Sequence, residues 1–310
     1  MRQALRQVVL QREGKDFLDF FHTGIRELIR ETGSFTREEK EIHGYFFRKQ
    51  VWHYILCSRL LTRTNLKPRG YVGDHEMLRM IYENRPEGAD LFSQLMHLYP
   101  LTTAAAEAVR RRRVAIPGLL AEHRRRTKGA GPTDVLSVAC GPALEVAGFF
   151  EDPADAGKIR ITLLDQDEEA LTAAKKNITQ SENNLGRNLS VRYIQKSVRT
   201  LLREEDASPE QGRFDFIYSM GLFDYLTPPV AKAVFAKLFR MLKPGGRLVV
   251  GNFHKANPDR VFMEYWCDWV LYYRSEEEFL EIASEVNPEG LRVFFLNQDC
   301  QMFLEAGAPC

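Results

Sequence analysis

Ser137-Val138-Ala139-Cys140-Gly141-Pro142-Ala143, entered through Val135-Leu136 and followed by Leu144-Glu145-Val146, decides the reading of this chain. A short apolar run feeds a turn of small residues, and the turn opens a helix. Downstream, Ile159-Arg160-Ile161-Thr162-Leu163-Leu164 repeats the apolar run and ends in Asp165-Gln166-Asp167. An acidic residue closing the second strand after such a turn is the pattern of a ribose site. Backbone N–H groups of the turn approach the ligand, and the carboxylate takes the ribose hydroxyls. A dinucleotide fingerprint surrounds its pyrophosphate with three glycines, whereas this turn holds one. A ligand with ribose and adenine but no phosphates fits better.

Working outward, strands and helices alternate from Thr133 onward, which predicts a parallel sheet. Strands are expected near 134–139, 159–164, 189–194, 214–219 and 246–251, with helices near 142–150, 167–179 and 229–242. Lys243-Pro244-Gly245-Gly246 ends the last helix and starts the fifth strand. Leu291 to Leu296 and Cys300 to Leu304 flank Asn297-Gln298-Asp299 and predict an antiparallel hairpin at the sheet edge. The order of turn, Asp165, Lys196-Ser197-Val198 and Ser219-Met220-Gly221 predicts a fold class: α/β, with a Rossmann-like class I methyltransferase sheet, mostly parallel. The ligand that matches is S-adenosyl-L-methionine. Ligands of open α/β sheets bind outside the carboxyl ends of the strands. Cofactor contacts are therefore expected from Ser137, Ala139, Cys140, Gly141 and Glu145 at the first strand, and from Asp165 and Gln166 at the second. Ser197 and Val198 follow the third strand, and Ser219, Met220 and Gly221 follow the fourth. Asp165 carries the ribose, while Asp167 can cap the next helix.

Residues 1–127 read as a helical N-terminal domain. Phe17, Phe20, Phe21, Ile25, Leu28 and Ile29 recur at helical spacing. Thr36-Arg37-Glu38-Glu39 has the form of a capping box before a helix running through Phe46, Val51, Ile55 and Leu60. Further helices are expected over 76–83, 89–98 and 102–126. Thr127-Lys128-Gly129-Ala130-Gly131-Pro132 reads as a linker to a catalytic domain over 133–310.

Gly221-Leu222-Phe223-Asp224-Tyr225-Leu226 follows the fourth strand, where groups would face the reacting centre. Asp224 and Tyr225 are catalytic candidates. Asn252 ends the fifth strand, and Met263 to Arg274 is dense in aromatic residues, including Trp269, Tyr272 and Tyr273. Read as a helix over the strand ends, this segment would supply substrate-binding groups, with the tyrosine hydroxyls and Arg274 orienting an anionic acceptor.

With 310 residues, 44% apolar and 27% charged, the composition is that of a soluble globular protein. The net charge of +1 supplies no field to gather nucleic acid, and no membrane partner is expected. The Arg110–Arg113 and Arg124–Arg126 runs read as solvated helix faces, with one arginine of the first run a candidate to face the site. Five cysteines without CxxC pairs, and an N-terminus lacking a signal-peptide core, point to a cytoplasmic protein. The histidines lack ligand spacing, so no metal is proposed.

These motifs together resemble a bacterial family of class I methyltransferases, whose members are often described as 3-hydroxypalmitic acid methyl ester (extracellular factor) biosynthesis proteins. The likeness runs from about Lys67 to the C-terminus. It rests on Pro68-Arg69-Gly70-Tyr71-Val72-Gly73-Asp74, Gln94-Leu95-Met96-His97, the 136–143 turn, Leu164 to Asp167, Gly221 to Leu226, and Tyr265 to Arg274. The resemblance implies the fold and S-adenosylmethionine binding, and it adds Tyr71, Asp74 and His97 as catalytic candidates on a loop forming a lid over the acceptor. Some relatives carry a cyclic-nucleotide module in front; the first 66 residues here are too short for one.

The implied reaction is O- or N-methylation of a small polar or acidic molecule in secondary metabolism. A carboxylate acceptor needs only a clamp, from Arg274, Tyr273 or Tyr71. A hydroxyl or amine also needs a base, from Asp224, Asp74 or His97. Two alternatives remain open at this point: a methyltransferase-fold enzyme catalysing cyclisation or elimination, and a non-catalytic S-adenosylmethionine-binding partner protein. A homo- or hetero-oligomer is compatible with the sequence. The absent Asn-Pro-Pro-aromatic tetrad places nucleic acid last among substrates.

Overall fold

The computed structural model describes residues 2–127, 131–150, 153–203, 212–297 and 300–310. The expected linker has Lys128, Gly129 and Ala130 outside the described residues, and the expected hairpin turn has Gln298 and Asp299 outside them. The chain forms two compact units, Met1–Val109 with Pro258–Val270, and Arg110–Asn257 with Leu271–Cys310.

The second unit is built on a seven-stranded sheet of order β3-β2-β1-β4-β5-β7-β6. Its strands are β1 (Thr133–Val138), β2 (Ile159–Asp165), β3 (Ser190–Gln195), β4 (Phe214–Ser219), β5 (Leu242–Phe253), β6 (Glu289–Asn297) and β7 (Gln301–Gly307). The first five are parallel, and β7 runs antiparallel to both β5 and β6. This is the expected Rossmann-like sheet, mostly parallel, with its C-terminal antiparallel pair. Apolar residues occupy both faces of the central strands, as a covered parallel sheet requires. Val135, Ile161, Phe216 and Val249 pack with Ile116, Leu120, Val146 and Phe149 on one face. Leu136, Ile217, Leu248 and Val250 pack with Val234, Phe235, Leu238 and Phe279 on the other.

The helical unit holds Arg2–Thr32, Arg37–Gln50, Trp52–Ile55, Arg59–Leu66, His75–Glu83, Leu91–Thr102, the start of Ala104–Thr127, and Arg260–Trp266. Its core joins Phe21, Ile25, Ile55, Leu61, Met96, Tyr99, Phe262 and Cys267. The ring centroids of Phe21 and Tyr99 are 4.1 Å apart. Among the described residues, no helix is long and apolar enough to cross a membrane.

Three helix expectations are corrected. The helix expected to run from Thr36 through Leu60 starts at the capping box but ends at Gln50; a short Trp52–Ile55 helix follows, and the extended Ser58, whose hydroxyl accepts from the Leu61 amide at 3.3 Å, caps a new helix over Arg59–Leu66. The 142–150 segment is a 3₁₀ helix over Leu144–Phe150, entered from the left-handed Ala143 (φ 50°). The Met263–Arg274 helix ends at Trp266. Asp268 is left-handed (φ 47°), and Arg48 and Lys67 hold its carboxylate at 2.9 and 2.6 Å. Beyond it, Arg274 forms a bridge with His254 beside β5.

Candidate functional site

The turn after β1 is held in an uncommon conformation. Ala139, Gly141 and Ala143 have φ of 53°, 55° and 50°. For the two alanines this region costs roughly 1–2 kcal/mol each, so the surrounding structure must enforce it. Asp165 is part of that enforcement. One of its carboxylate oxygens accepts from the Gly141 amide at 2.8 Å, and the other accepts from the Asp167 amide at 3.0 Å. Cys140 donates its amide to the Leu164 carbonyl at 3.1 Å. The helix cap belongs to Asp167, whose carboxylate accepts from the Glu169 amide at 2.9 Å. Asp165 therefore stays at the strand end, where burial pushes its pKa up. Gln166 beside it is exposed.

The remaining cofactor candidates lie in the same unit at the carboxyl ends of β1, β3 and β4. Ser137 is buried and bonds Tyr218, whose hydroxyl donates to Glu145 at 2.7 Å. Burial raises the pKa of the Glu145 carboxyl and of the Cys140 thiol. Ser219 donates its hydroxyl to the Val138 carbonyl at 2.8 Å, pinning β4 to β1. Ser197 accepts from the Thr200 amide at 3.2 Å, and Val198 begins the Val198–Arg203 helix. The Met220 carbonyl accepts from both Arg112 and Gln301, each at 3.1 Å. A Cβ on Gly221 would stand 3.2 Å from the Arg112 guanidinium, tight enough to press on it.

A second cluster ties the Phe223–Leu226 loop to the end of β5. Asp224 is 2% exposed and accepts from the Phe253 amide at 2.6 Å, while its carbonyl accepts from the Tyr272 amide at 2.8 Å. Asn252 donates to the Phe253 and Tyr272 carbonyls at 2.8 and 3.0 Å and accepts from Arg274. The Arg274 guanidinium also donates to the Phe223 carbonyl at 2.8 Å and the Leu226 carbonyl at 2.5 Å. Its Nη atoms thus turn into the protein, and burial lowers its pKa. Tyr273 is buried, Tyr272 half-buried and Tyr225 exposed.

Burial raises the Asp224 pKa from its ordinary 3.8 to about 6, against the pull of the Phe253 amide, Arg112 and Arg274. The folded state therefore binds this proton more tightly than the unfolded chain. The stability this confers is complete below pH 3.8 and lost as pH rises through about 6. Asp224→Asn keeps an acceptor for Phe253 and removes the titration. In urea titrations the wild type should lose up to ~3 kcal/mol relative to this variant between about pH 4 and 7. Parallel pH profiles would show that Asp224 does not titrate across this interval.

Asp74, Tyr71, His97 and Trp269 belong to the helical unit. Both Asp74 oxygens lie 2.7–2.8 Å from Arg63 Nε, and one also caps His75–Glu83 through the Met77 amide at 2.9 Å. His97 is fully buried, its Nδ1 3.4 Å from the Ser58 hydroxyl and its Nε2 without a partner among the described residues. Burial pushes its pKa down and keeps the ring neutral. Tyr71 and Trp269 are half-buried.

Arg112 and Gln301 were not singled out by the sequence reading. Both are buried, and Arg112 Nε and Gln301 Oε1 lack partners among the described residues. A signal existed for Arg112: it shares a helical face with the buried Val109, Ile116 and Leu120. Gln301 is masked by its place at the start of an apolar strand.

Residues 135–246 match the model of a methyltransferase domain. No curated protein matches the chain. Among solved structures, a possible exported protein from Bordetella parapertussis aligns with a TM-score of 0.65 at 17% identity, over 96% of this chain and 97% of that one. Magnesium protoporphyrin IX methyltransferase from Synechocystis, with bound S-adenosylhomocysteine, aligns at 0.48 and 11% identity, over 67% and 88%. The N-methyltransferase NodS from Bradyrhizobium japonicum aligns at 0.43 and 14% identity, over 67% and 90%. The matched segment contains the left-handed turn, Asp165 and the end of β4, so the sequence pattern and the sheet describe the same domain. The residues present fit S-adenosylmethionine. A carboxylate stands at the second strand end, backbone amides crowd the turn, and buried polar atoms await partners beside β4.

Proposed function

We propose that the chain is an S-adenosylmethionine-dependent methyltransferase acting on a small polar or acidic molecule, by O- or N-methylation. The observation that carries this reading is Asp165, closing β2 against a left-handed turn inside a segment that matches a methyltransferase domain. The bound cofactor supplies an electrophilic methyl on sulfur. The protein's task is to place the acceptor in line and exclude water, and orientation alone can supply roughly 7–11 kcal/mol of the barrier. For a hydroxyl or amine acceptor, Asp224 is the proposed base, because a carboxylate with a pKa of about 6 both ionises at neutral pH and takes a proton readily. His97, a neutral imidazole whose Nε2 has no partner among the described residues, is proposed as a base on the resemblance alone. Placement in the extracellular-factor family and in secondary metabolism belongs to the same proposal, resting on the 68–74, 94–97 and 221–226 motifs. A cytoplasmic setting belongs to the same proposal, resting on five scattered cysteines without CxxC spacing.

The test is incubation with S-adenosylmethionine and a panel of carboxylic acids, hydroxy acids and amines, 3-hydroxypalmitic acid included. A product heavier by one methylene, formed in step with S-adenosylhomocysteine, is the expected result. Turnover without S-adenosylhomocysteine would transfer the fold to cyclisation or elimination chemistry. Binding without any turnover would favour a partner protein.

A further inference from the structure

The cluster beside β4 carries a more specific reading of the same site, and it rests on the proposed cofactor. Arg112 is 6% exposed, yet its one hydrogen bond among the described residues is to the Met220 carbonyl. Nε is buried without a partner. Glu145 and Asp224 feel its charge, but neither forms an ion pair with it among the described residues. A buried guanidinium held by a single carbonyl is costly unless an anion completes it. Gln301 is 2% exposed and presents the complementary gap. Its amide nitrogen donates to the same Met220 carbonyl, and its Oε1 is a buried acceptor without a donor among the described residues. An unmet donor set and an unmet acceptor thus stand around one carbonyl, which is the complement of a zwitterion.

Position supports the match. Asp165 closes β2, Met220 follows β4, and β1 lies between them. The two strand ends are separated by two strand spacings, about 10 Å. A ribose, a sulfur and an aminocarboxypropyl arm bridge that span. Gly221 leaves the approach to Arg112 clear, where any Cβ would press on the guanidinium.

We propose that Arg112 and Gln301 form the subsite for the amino-acid head of S-adenosylmethionine. Arg112 donates to the α-carboxylate. Gln301 Oε1 accepts from the α-ammonium. The enzyme would then select its cofactor by the zwitterion as well as by the nucleoside.

The test compares S-adenosylhomocysteine with 5′-methylthioadenosine, which keeps the nucleoside and sulfur but lacks the amino-acid arm. Calorimetry is run on the full chain and on Arg112→Ala, Arg112→Lys and Gln301→Leu. Arg112→Ala should weaken S-adenosylhomocysteine at least ~30-fold, the loss of a charge-assisted contact, and leave methylthioadenosine within about threefold. Gln301→Leu should show the same selectivity with a smaller loss. Should Arg112→Ala not fold, Arg112→Lys carries the test, because lysine keeps the charge without the planar fork and should still weaken only the arm-bearing ligand. Equal losses for both ligands would make Arg112 a support of the fold alone and overturn the proposal. An unchanged S-adenosylhomocysteine affinity would overturn it as well, leaving the cofactor assignment standing. A wild-type chain that binds neither ligand would overturn the cofactor assignment and this subsite together.

Discussion

Asp165→Ala should weaken S-adenosylhomocysteine binding by ~100-fold or more. Two charge-assisted hydrogen bonds to ribose hydroxyls at ~1.5–3 kcal/mol each set that scale. The free protein adds a second reason. The same carboxylate accepts from Gly141 and Asp167, so its removal leaves two amides unmet and releases the turn that must approach the ligand. A lower melting temperature should accompany the loss. Asp165→Asn, which keeps the shape but offers one acceptor oxygen, should fall between. Since burial raises the Asp165 pKa, affinity should weaken on acidification at a higher pH than an exposed aspartate would allow. Unchanged affinity in calorimetry would remove Asp165 from the ribose.

Arg274→Met should produce the largest stability loss, about 3–5 kcal/mol, the scale for breaking a buried charged network. The guanidinium joins the Phe223 and Leu226 carbonyls to Asn252, and methionine would take that donor from the Leu226 carbonyl and Asn252 Oδ1, leaving the Phe223 carbonyl only the Leu226 amide at 3.2 Å. Arg274→Lys should rescue little, because an ammonium cannot reproduce the planar fork that spans three acceptors. The check is the urea midpoint at constant m. A loss below about 1 kcal/mol would show that the network does not hold the 223–226 loop. This outcome also separates two roles for Arg274. A clamp on an anionic acceptor would move KM with little change in stability, whereas a loop staple moves stability first.

The sheet was legible because a covered parallel strand announces itself as an unbroken apolar run, and Val135-Leu136, Ile159 to Leu164 and Phe214 to Tyr218 each do so. The place of Asp165 was legible for a related reason: it closes such an apolar run, while Asp167, two residues on, takes the capping duty. Elements fixed by long-range contacts were not legible. The aromatic segment after Met263 has helical composition, but the grip of Arg48 and Lys67 on Asp268 ends its helix. Arg274 has the appearance of a substrate clamp in sequence, and only the fold shows its donors turned toward Phe223 and Leu226. Arg112 sat in a run of four arginines, where composition suggests a solvated face. Its neighbours Ile116 and Leu120 place it on the buried side.

A crystal structure of the chain with S-adenosylhomocysteine tests the central claim most directly. The account predicts adenosine across the carboxyl ends of β1 and β2, with both ribose hydroxyls on Asp165 and the sulfur directed toward Met220 and Gly221. A ribose held elsewhere, or this cleft closed to a nucleoside in crystals grown with saturating ligand, would contradict it.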